Sequence, residues 1–324
     1  MLITNLIFFI ASCIVLILSG SWLVKSLSKI ARFLKLSEFI AAFIIMAFST
    51  SVPELFVGIT SAIEKNPALA LGTVIGSNIV NLTLVIGIAI ILARGIKIRS
   101  KIVRQDATSM FFIALVPVLL MFFGHSIERW EGAILVAIFV FYIWRIIKRR
   151  KRFEKEYKDG IKVKEVIISS LIFLGSLVLL YLSAQFLVKY ATLLALDLAL
   201  PAILIGLFLV AIGTSLPELV FQTRAVLTKH PEMALGDSIG SVVANSTLVL
   251  GITALICPIE ANFLLFFTSA IFMLVIVFLF GTMVESGDKL YLREGLSLIF
   301  LYIFFIMLEF YIHTLQGKEG ILGF

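Results

Sequence analysis

Apolar residues run along this chain in long unbroken blocks, and the blocks are separated by short polar connections. A block of about 20 apolar residues is the length of a helix that crosses the hydrocarbon core of a bilayer. Ten such spans are predicted, at about 2–24, 37–63, 68–93, 107–123, 131–147, 164–188, 199–227, 232–258, 260–281 and 295–315. Strands of a transmembrane barrel alternate apolar and polar positions, and these blocks do not, so a barrel is excluded. The segment Met1 to Ser21 has the look of a signal peptide, but it has no basic leader. Its apolar stretch continues to about Val24, which makes it the first span.

Composition agrees with the pattern. Of 324 residues 61% are apolar and only 15% charged, against roughly 25% charged in a soluble domain. The mean hydropathy of +1.13 leaves too few polar residues to cover a water-facing surface. Cys13 and Cys257 lie in apolar runs and read as buried free thiols. No clustering of His and Cys suggests zinc, haem or an iron–sulfur group.

The net charge of +7 acquires meaning once the basic residues are placed. The connection Arg145 to Lys164 holds ten Lys and Arg, and the positive-inside rule makes it cytoplasmic. With ten spans both termini then lie outside, and 23 of the 27 basic residues fall on the cytoplasmic side. The basic surplus is thus a topology signal that also suits anionic lipid, and not a nucleic-acid patch.

The chain also repeats itself. Residues 47–87 and 211–251 align without a gap at an offset of 164, with 19 of 41 positions identical. Each half carries five spans, so the second half enters the membrane from the opposite side. The expected fold is an all-α polytopic membrane protein, with ten transmembrane helices in two inverted five-helix repeats. Residues 1–148 form the first repeat, 149–163 the basic cytoplasmic loop and 164–324 the second repeat. In such architectures the substrate site lies near the midplane, where the paired segments meet.

The repeated segments carry the chemistry. Thr50, Ser51, Pro53 and Glu54 recur as Thr214, Ser215, Pro217 and Glu218. An ionisable group deep in an apolar helix costs several kcal/mol or more when unpaired, which marks both glutamates as functional candidates. Pro removes a backbone donor and frees carbonyl oxygens one turn earlier. A carboxylate, hydroxyls and freed carbonyls are the hard oxygen ligands that Ca²⁺ and Na⁺ take. In the next span Thr73, Ser77 and Asn81 form one polar stripe, matched by Asp237, Ser241 and Asn245. A single Ser, Thr or Asn in a membrane helix is commonly packing glue, and the doubled arrangement outweighs that reading here. Asp237 has two open readings, a helix N-cap or a residue of the ion pathway. Glu309, near the end of the last span, is expected to reach the interface. His125, Glu128, Asp197 and Glu260 are expected at solvated span ends.

At these residues the chain resembles the sodium/calcium exchanger family of the calcium/cation antiporter superfamily. The family's two α-repeats read G-T-S-x-P-E, then G-N-x-x-G-S-N with Asn or Asp four residues after the Ser. Here the first elements are Ser49-Thr50-Ser51-Val52-Pro53-Glu54 and Gly213-Thr214-Ser215-Leu216-Pro217-Glu218. The second are Gly72-Thr73-Val74-Ile75-Gly76-Ser77-Asn78 with Asn81, and Gly236-Asp237-Ser238-Ile239-Gly240-Ser241-Val242 with Asn245. The resemblance implies a monomeric cell-membrane antiporter, not an enzyme, that exports Ca²⁺ against Na⁺ and needs no cofactor. It implies Ca²⁺ on Glu54, Glu218, Thr50 and Thr214. Sodium would use those glutamates with Ser51, Ser77, Ser215, Ser241 and the carbonyls of Ala47 and Ala211, with Thr73, Asn81, Asp237 and Asn245 lining the site. The family alternates access by sliding its first and sixth spans across the other eight. Ser49, Thr73, Asp237 and Val242 depart from the family pattern, and Asn245 is similar to the potassium-independent branch. A cation/proton antiporter and a passive cation channel are the competing readings.

Overall fold

The computed structural model describes residues 2–33, 51–98, 101–150, 163–227, 231–261 and 263–322. Helices dominate these residues, with four two-residue strands between them. Seven helices are long and apolar enough to cross a membrane: Leu2–Leu23, Pro67–Leu92, Val103–Gly124, Glu165–Asp197, Pro231–Ile256, Leu264–Ser286 and Leu292–His313. An eighth candidate is the bent pair Ala202–Thr214 and Leu216–Leu227. Val52–Ile63 is a shorter apolar helix, and Arg129–Arg150 is a helix that ends in a basic run. Large apolar side chains such as Ile3, Phe123, Leu171, Val220, Phe300 and Met307 are exposed on the outer helix faces. An apolar surface that extensive belongs against lipid.

The Pro67–Leu92 and Pro231–Ile256 helices are the most buried of these spans. Glycines set how closely they are crossed. A Cβ added at Gly72 would collide with the carbonyl oxygen of Ile203, and one at Gly76 with that of Leu207. From the other side, a Cβ at Gly206 would meet Leu69 O, and would stand 2.8 Å from Thr73 N. The backbones therefore touch where the Pro67–Val80 and Ala202–Thr214 segments cross, as small residues allow in membrane helices.

The Leu2–Phe33 and Val163–Asp197 helices pack along one another. Their seam of Phe9, Cys13, Leu16, Leu23, Leu180, Ala184, Leu187 and Ala191 belongs to an apolar cluster separate from the main core. At one end Asn5 Nδ2 donates to Asp197 Oδ2 at 2.7 Å. At 32 residues the first of the two is about 48 Å long, well beyond a ~30 Å hydrocarbon core, so it tilts or projects.

The short strands tie the loops in pairs. Ile96–Lys97 pairs antiparallel with Lys289–Leu290, and Ser126–Ile127 with Ile259–Glu260. The offset of 164 that aligns the two halves carries Ile96 onto Glu260 and Ser126 onto Leu290. The pair Ile96·Leu290 is thereby turned into the pair Glu260·Ser126.

Three expectations need correction, and one of the two readings of Asp237 falls away. The span expected at 199–227 is bent by 41° between Thr214 and Leu216, because Pro217 lacks a backbone donor and crowds the preceding turn. Asp237 lies within the Pro231–Ala244 helix, six residues past its start, so it is no N-cap. Glu309 does not reach the interface: it is fully buried, and its Oε1 accepts from Ser269 Oγ at 2.8 Å. The helix face that carries it also carries Tyr302 and Phe305, and it packs inward. Cys257 is only half-buried, whereas Cys13 is buried as expected. His125, Glu128, Asp197 and Glu260 are exposed.

Candidate functional site

Local sequence explains why a polar site can exist inside this core. Ser51 stands at the N-cap of Val52–Ile63, and Pro53 occupies the first turn, where its missing donor costs nothing. This puts Glu54 in the first turn of the helix, near its positive end. The second repeat does the same, with Glu218 in the first turn of Leu216–Leu227. Both carboxylates thus sit in first helical turns, where helix N-termini favour negative charge.

The neighbouring helices are interrupted as well. A π-helical turn occupies Asn81–Val85 and another Asn245–Val249, at repeat-equivalent positions, each opening on the site Asn. A third lies at Gly206–Val210, directly before Ala211. Such turns leave backbone carbonyls with altered partners and gather at functional sites.

The side chains converge across the two halves. Ser77 Oγ donates to Glu54 Oε1 at 3.5 Å and lies 3.3 Å from Thr214 Oγ1. Thr214 Oγ1 in turn donates to Ala211 O at 3.4 Å. Asn245 Nδ2 donates to Asn78 Oδ1 at 3.2 Å, and Asn78 Nδ2 to Ser246 Oγ at 3.0 Å. Glu54, Glu218 and Asp237 are all buried, at 1% exposure or less. Ser51, Ser215, Ser241, Thr73, Asn81 and Asn245 are all buried. Thr73 turns its hydroxyl back to Leu69 O at 2.8 Å, so it is tied to its own helix. Ala47 and Thr50, with Ser49, lie outside the described residues.

The polar atoms left unsatisfied identify what the arrangement can hold. At the motifs, Glu54 Oε2, both oxygens of Glu218, Asn81 Oδ1 and Nδ2, Asn245 Oδ1 and the hydroxyls of Ser51 and Ser215 are buried with no hydrogen-bond partner among the described residues; elsewhere so are atoms of Thr60, Ser61, Tyr302 and Glu309. Buried polar groups are satisfied almost everywhere in proteins, so a concentration of orphans at one place calls for a ligand. Nearly all of those at the motifs are oxygen acceptors, and two of the residues are carboxylates. A hard cation satisfies such a set. Asn78, Gln222 and Ser246 were not singled out as site residues by the sequence reading. Asn78 and Ser246 adjoin motif residues, but Gln222 shows its role only through its partner: it is fully buried and donates from Nε2 to Asp237 Oδ2 at 2.9 Å.

Comparison with known proteins adds a family. The family described as sodium/calcium exchanger protein matches residues 4–148 and 168–311. The sodium/calcium exchanger MaX1 of Methanosarcina acetivorans is 28% identical, over 96% of this chain and 100% of that protein. The putative antiporter CaxA of Alkalimonas amylolytica is 32% identical, over 78% of this chain and 81% of its own. Among solved structures, the sodium-calcium exchanger NCX_Mj soaked with Na⁺ and Sr²⁺ superposes with a TM-score of 0.67 at 25% identity. That match covers 95% of this chain and 99% of the other.

Proposed function

Because the chain belongs to the sodium/calcium exchanger protein family and is a membrane-embedded cation antiporter, we propose that it exports Ca²⁺ in exchange for Na⁺ through a midplane site built on Glu54 and Glu218. The observation that carries this reading is the cluster of buried, unpartnered oxygens on the repeated motifs. Two carboxylates supply a charge of about −2, which one Ca²⁺ balances and which several Na⁺ reverse. Ca²⁺ takes six to eight oxygen ligands, so the glutamates are joined by Thr50 and Thr214. Sodium adds Ser51, Ser77, Ser215 and Ser241 with the carbonyls of Ala47 and Ala211. Asn81 and Asn245 line the site.

The same reading takes the chain as ten spans in two inverted repeats, with both termini outside and residues 149–163 cytoplasmic. The exchange of strand pairs under the repeat offset supports it, since loops that pair must share a membrane face. Access alternates as the Leu2–Phe33 and Val163–Asp197 pair slides across the remaining helices. The apolar cluster along that pair, which also takes in Val52, Val57, Leu69, Ile205 and Val210 of the neighbouring helices, offers a non-polar surface to slide on. The protein works as a monomer, since each chain carries both halves of the site.

The test is ⁴⁵Ca²⁺ uptake into proteoliposomes under Na⁺, K⁺ and H⁺ gradients imposed separately. Uptake driven by the Na⁺ gradient alone is expected. Uptake driven by a pH gradient assigns the chain to cation/proton exchange, and uptake without any counter-gradient dependence assigns it to a channel.

A further inference from the structure

The two halves of the site are not alike on the side that faces Leu227 and Pro231. In the first repeat, Gly58 lies one turn beyond Glu54. A Cβ there would stand 2.6 Å from Thr253 Oγ1 and 3.1 Å from Val249 Cγ1. That face is closed by helix contact. The repeat equivalents of Gly58 and Thr253 are Gln222 and Ala89, on helices that also pack together. Large and small have exchanged places, and the room left by Ala89 admits an amide. Likewise Thr73, whose hydroxyl is absorbed by its own backbone, is matched by the carboxylate of Asp237.

The amide and the carboxylate meet. Gln222 Nε2 donates to Asp237 Oδ2 at 2.9 Å, and the two residues are 0% and 1% exposed. Gln222 Oε1 has no partner among the described residues, and neither has either oxygen of Glu218 one turn earlier on the same helix. A surface cavity lies one turn away along both helices. It measures about 790 Å³ and is lined by Val226 and Met233, each one turn from Gln222 and Asp237 respectively, with Arg94, Lys97, Glu232 and Lys289 along its wall. Arg94, Lys97 and Lys289 on that wall do not bind a cation and Glu232 is exposed to solvent, so the buried carboxylate and amide are the candidate ligands.

We propose that Asp237 and Gln222 form an additional Na⁺ subsite between the central glutamates and this cavity, present in the second repeat only. The inference rests on the reading of Glu54 and Glu218 as the central site. A single extra carboxylate adds a charge of about −1, which a monovalent cation balances, while the −2 of the glutamates is left for Ca²⁺. Gln222 Oε1 serves as a neutral oxygen ligand, of the kind Na⁺ accepts.

The experiment is equilibrium binding of ²²Na⁺ and ⁴⁵Ca²⁺ to the purified full-length protein in detergent. Wild-type protein, Asp237→Asn, Gln222→Met and Glu218→Gln are compared, with melting temperatures recorded for each. The expected result is one Na⁺ fewer per chain in Asp237→Asn and about tenfold weaker Na⁺ binding in Gln222→Met, both with Ca²⁺ still bound. Gln222→Met keeps the side-chain volume and removes the Oε1 oxygen together with the Nε2 donor to Asp237; it decides the matter if Asp237→Asn folds poorly, provided its melting temperature matches the wild type. Na⁺ binding unchanged in number and affinity in both variants overturns the subsite, and so does displacement of the same ²²Na⁺ by K⁺ as readily as by Na⁺. Glu218→Gln separates the two ideas, because Ca²⁺ binding that survives in it overturns the central site instead.

Discussion

The hydroxyl of Ser77 lies 3.3 Å from that of Thr214, 137 residues away in the chain, and 3.5 Å from a carboxylate oxygen of Glu54. One small side chain therefore touches the functional segments of both repeats at once. Ser77→Ala removes this shared hydroxyl without adding bulk. Loss of one oxygen ligand is expected to weaken Na⁺ binding about tenfold, equivalent to about 1.4 kcal/mol. The melting temperature should move little. Titration of ²²Na⁺ onto the purified variant checks this, and unaltered Na⁺ affinity removes Ser77 from the site.

Gly76 holds this meeting point together from behind. Its added Cβ would strike Leu207 O, and would stand 2.7 Å from the Ala211 Cβ. A backbone carbonyl cannot step aside, so Gly76→Ala must push the crossing helices apart. The expected cost is about 1–3 kcal/mol of stability, with loss of transport as Thr214 is drawn from Ser77. Gly175, with nothing within 4 Å, is the control. Gly175→Ala should leave transport unchanged and stability equal or slightly raised. Parallel melting curves and flux assays on the two variants read the difference.

The duplicated Pro-Glu motifs pointed to both carboxylates and to the polar stripes, because a gapless repeat marks the same residues twice. The strand pairs were not legible, since two-residue ladders carry no periodic signal. The break at Ser215 was legible in Pro217 as a kink, but its 41° bend was not. The π-turns at Asn81 and Asn245 were invisible, because an inserted residue in a helix leaves the composition of the segment unchanged. Glu309 was misplaced for a related reason. Distance from a span end gives depth, whereas burial depends on which neighbour covers that face, and Ser269 covers it.

Glu309 is expected to act as a fastener between the last two helices. Its Oε1 lies 2.8 Å from the Ser269 hydroxyl, whose single proton is shared with the Leu265 carbonyl at 2.7 Å. Hydrogen bonds between membrane helices average about 0.6 kcal/mol, so a double-mutant cycle of Glu309→Gln and Ser269→Ala should give a coupling of that order. Glu309→Gln should transport Ca²⁺ at close to the wild-type rate. A severalfold loss of flux in a variant of unchanged stability places Glu309 in the transport machinery instead.

Exchange of three Na⁺ for one Ca²⁺ moves one net positive charge per cycle. Transport should then generate current and respond to voltage by about 2.3 kcal/mol per 100 mV for that charge. A potential-sensitive dye in proteoliposomes reports it: an inside-negative potential should speed the Na⁺ entry mode. Exchange that leaves the dye signal flat and ignores an imposed potential indicates two Na⁺ per Ca²⁺.

The central claim is that Glu54 and Glu218 together bind the transported Ca²⁺. It is tested most directly by Na⁺-gradient-driven ⁴⁵Ca²⁺ uptake into proteoliposomes holding wild-type protein, Glu54→Gln or Glu218→Gln at matched amounts. A neutral amide is easier to bury than a carboxylate, so both variants should fold. Each should lose Ca²⁺ uptake to background, because half the charge that balances Ca²⁺ is gone. Uptake near the wild-type rate in either folded variant contradicts the account.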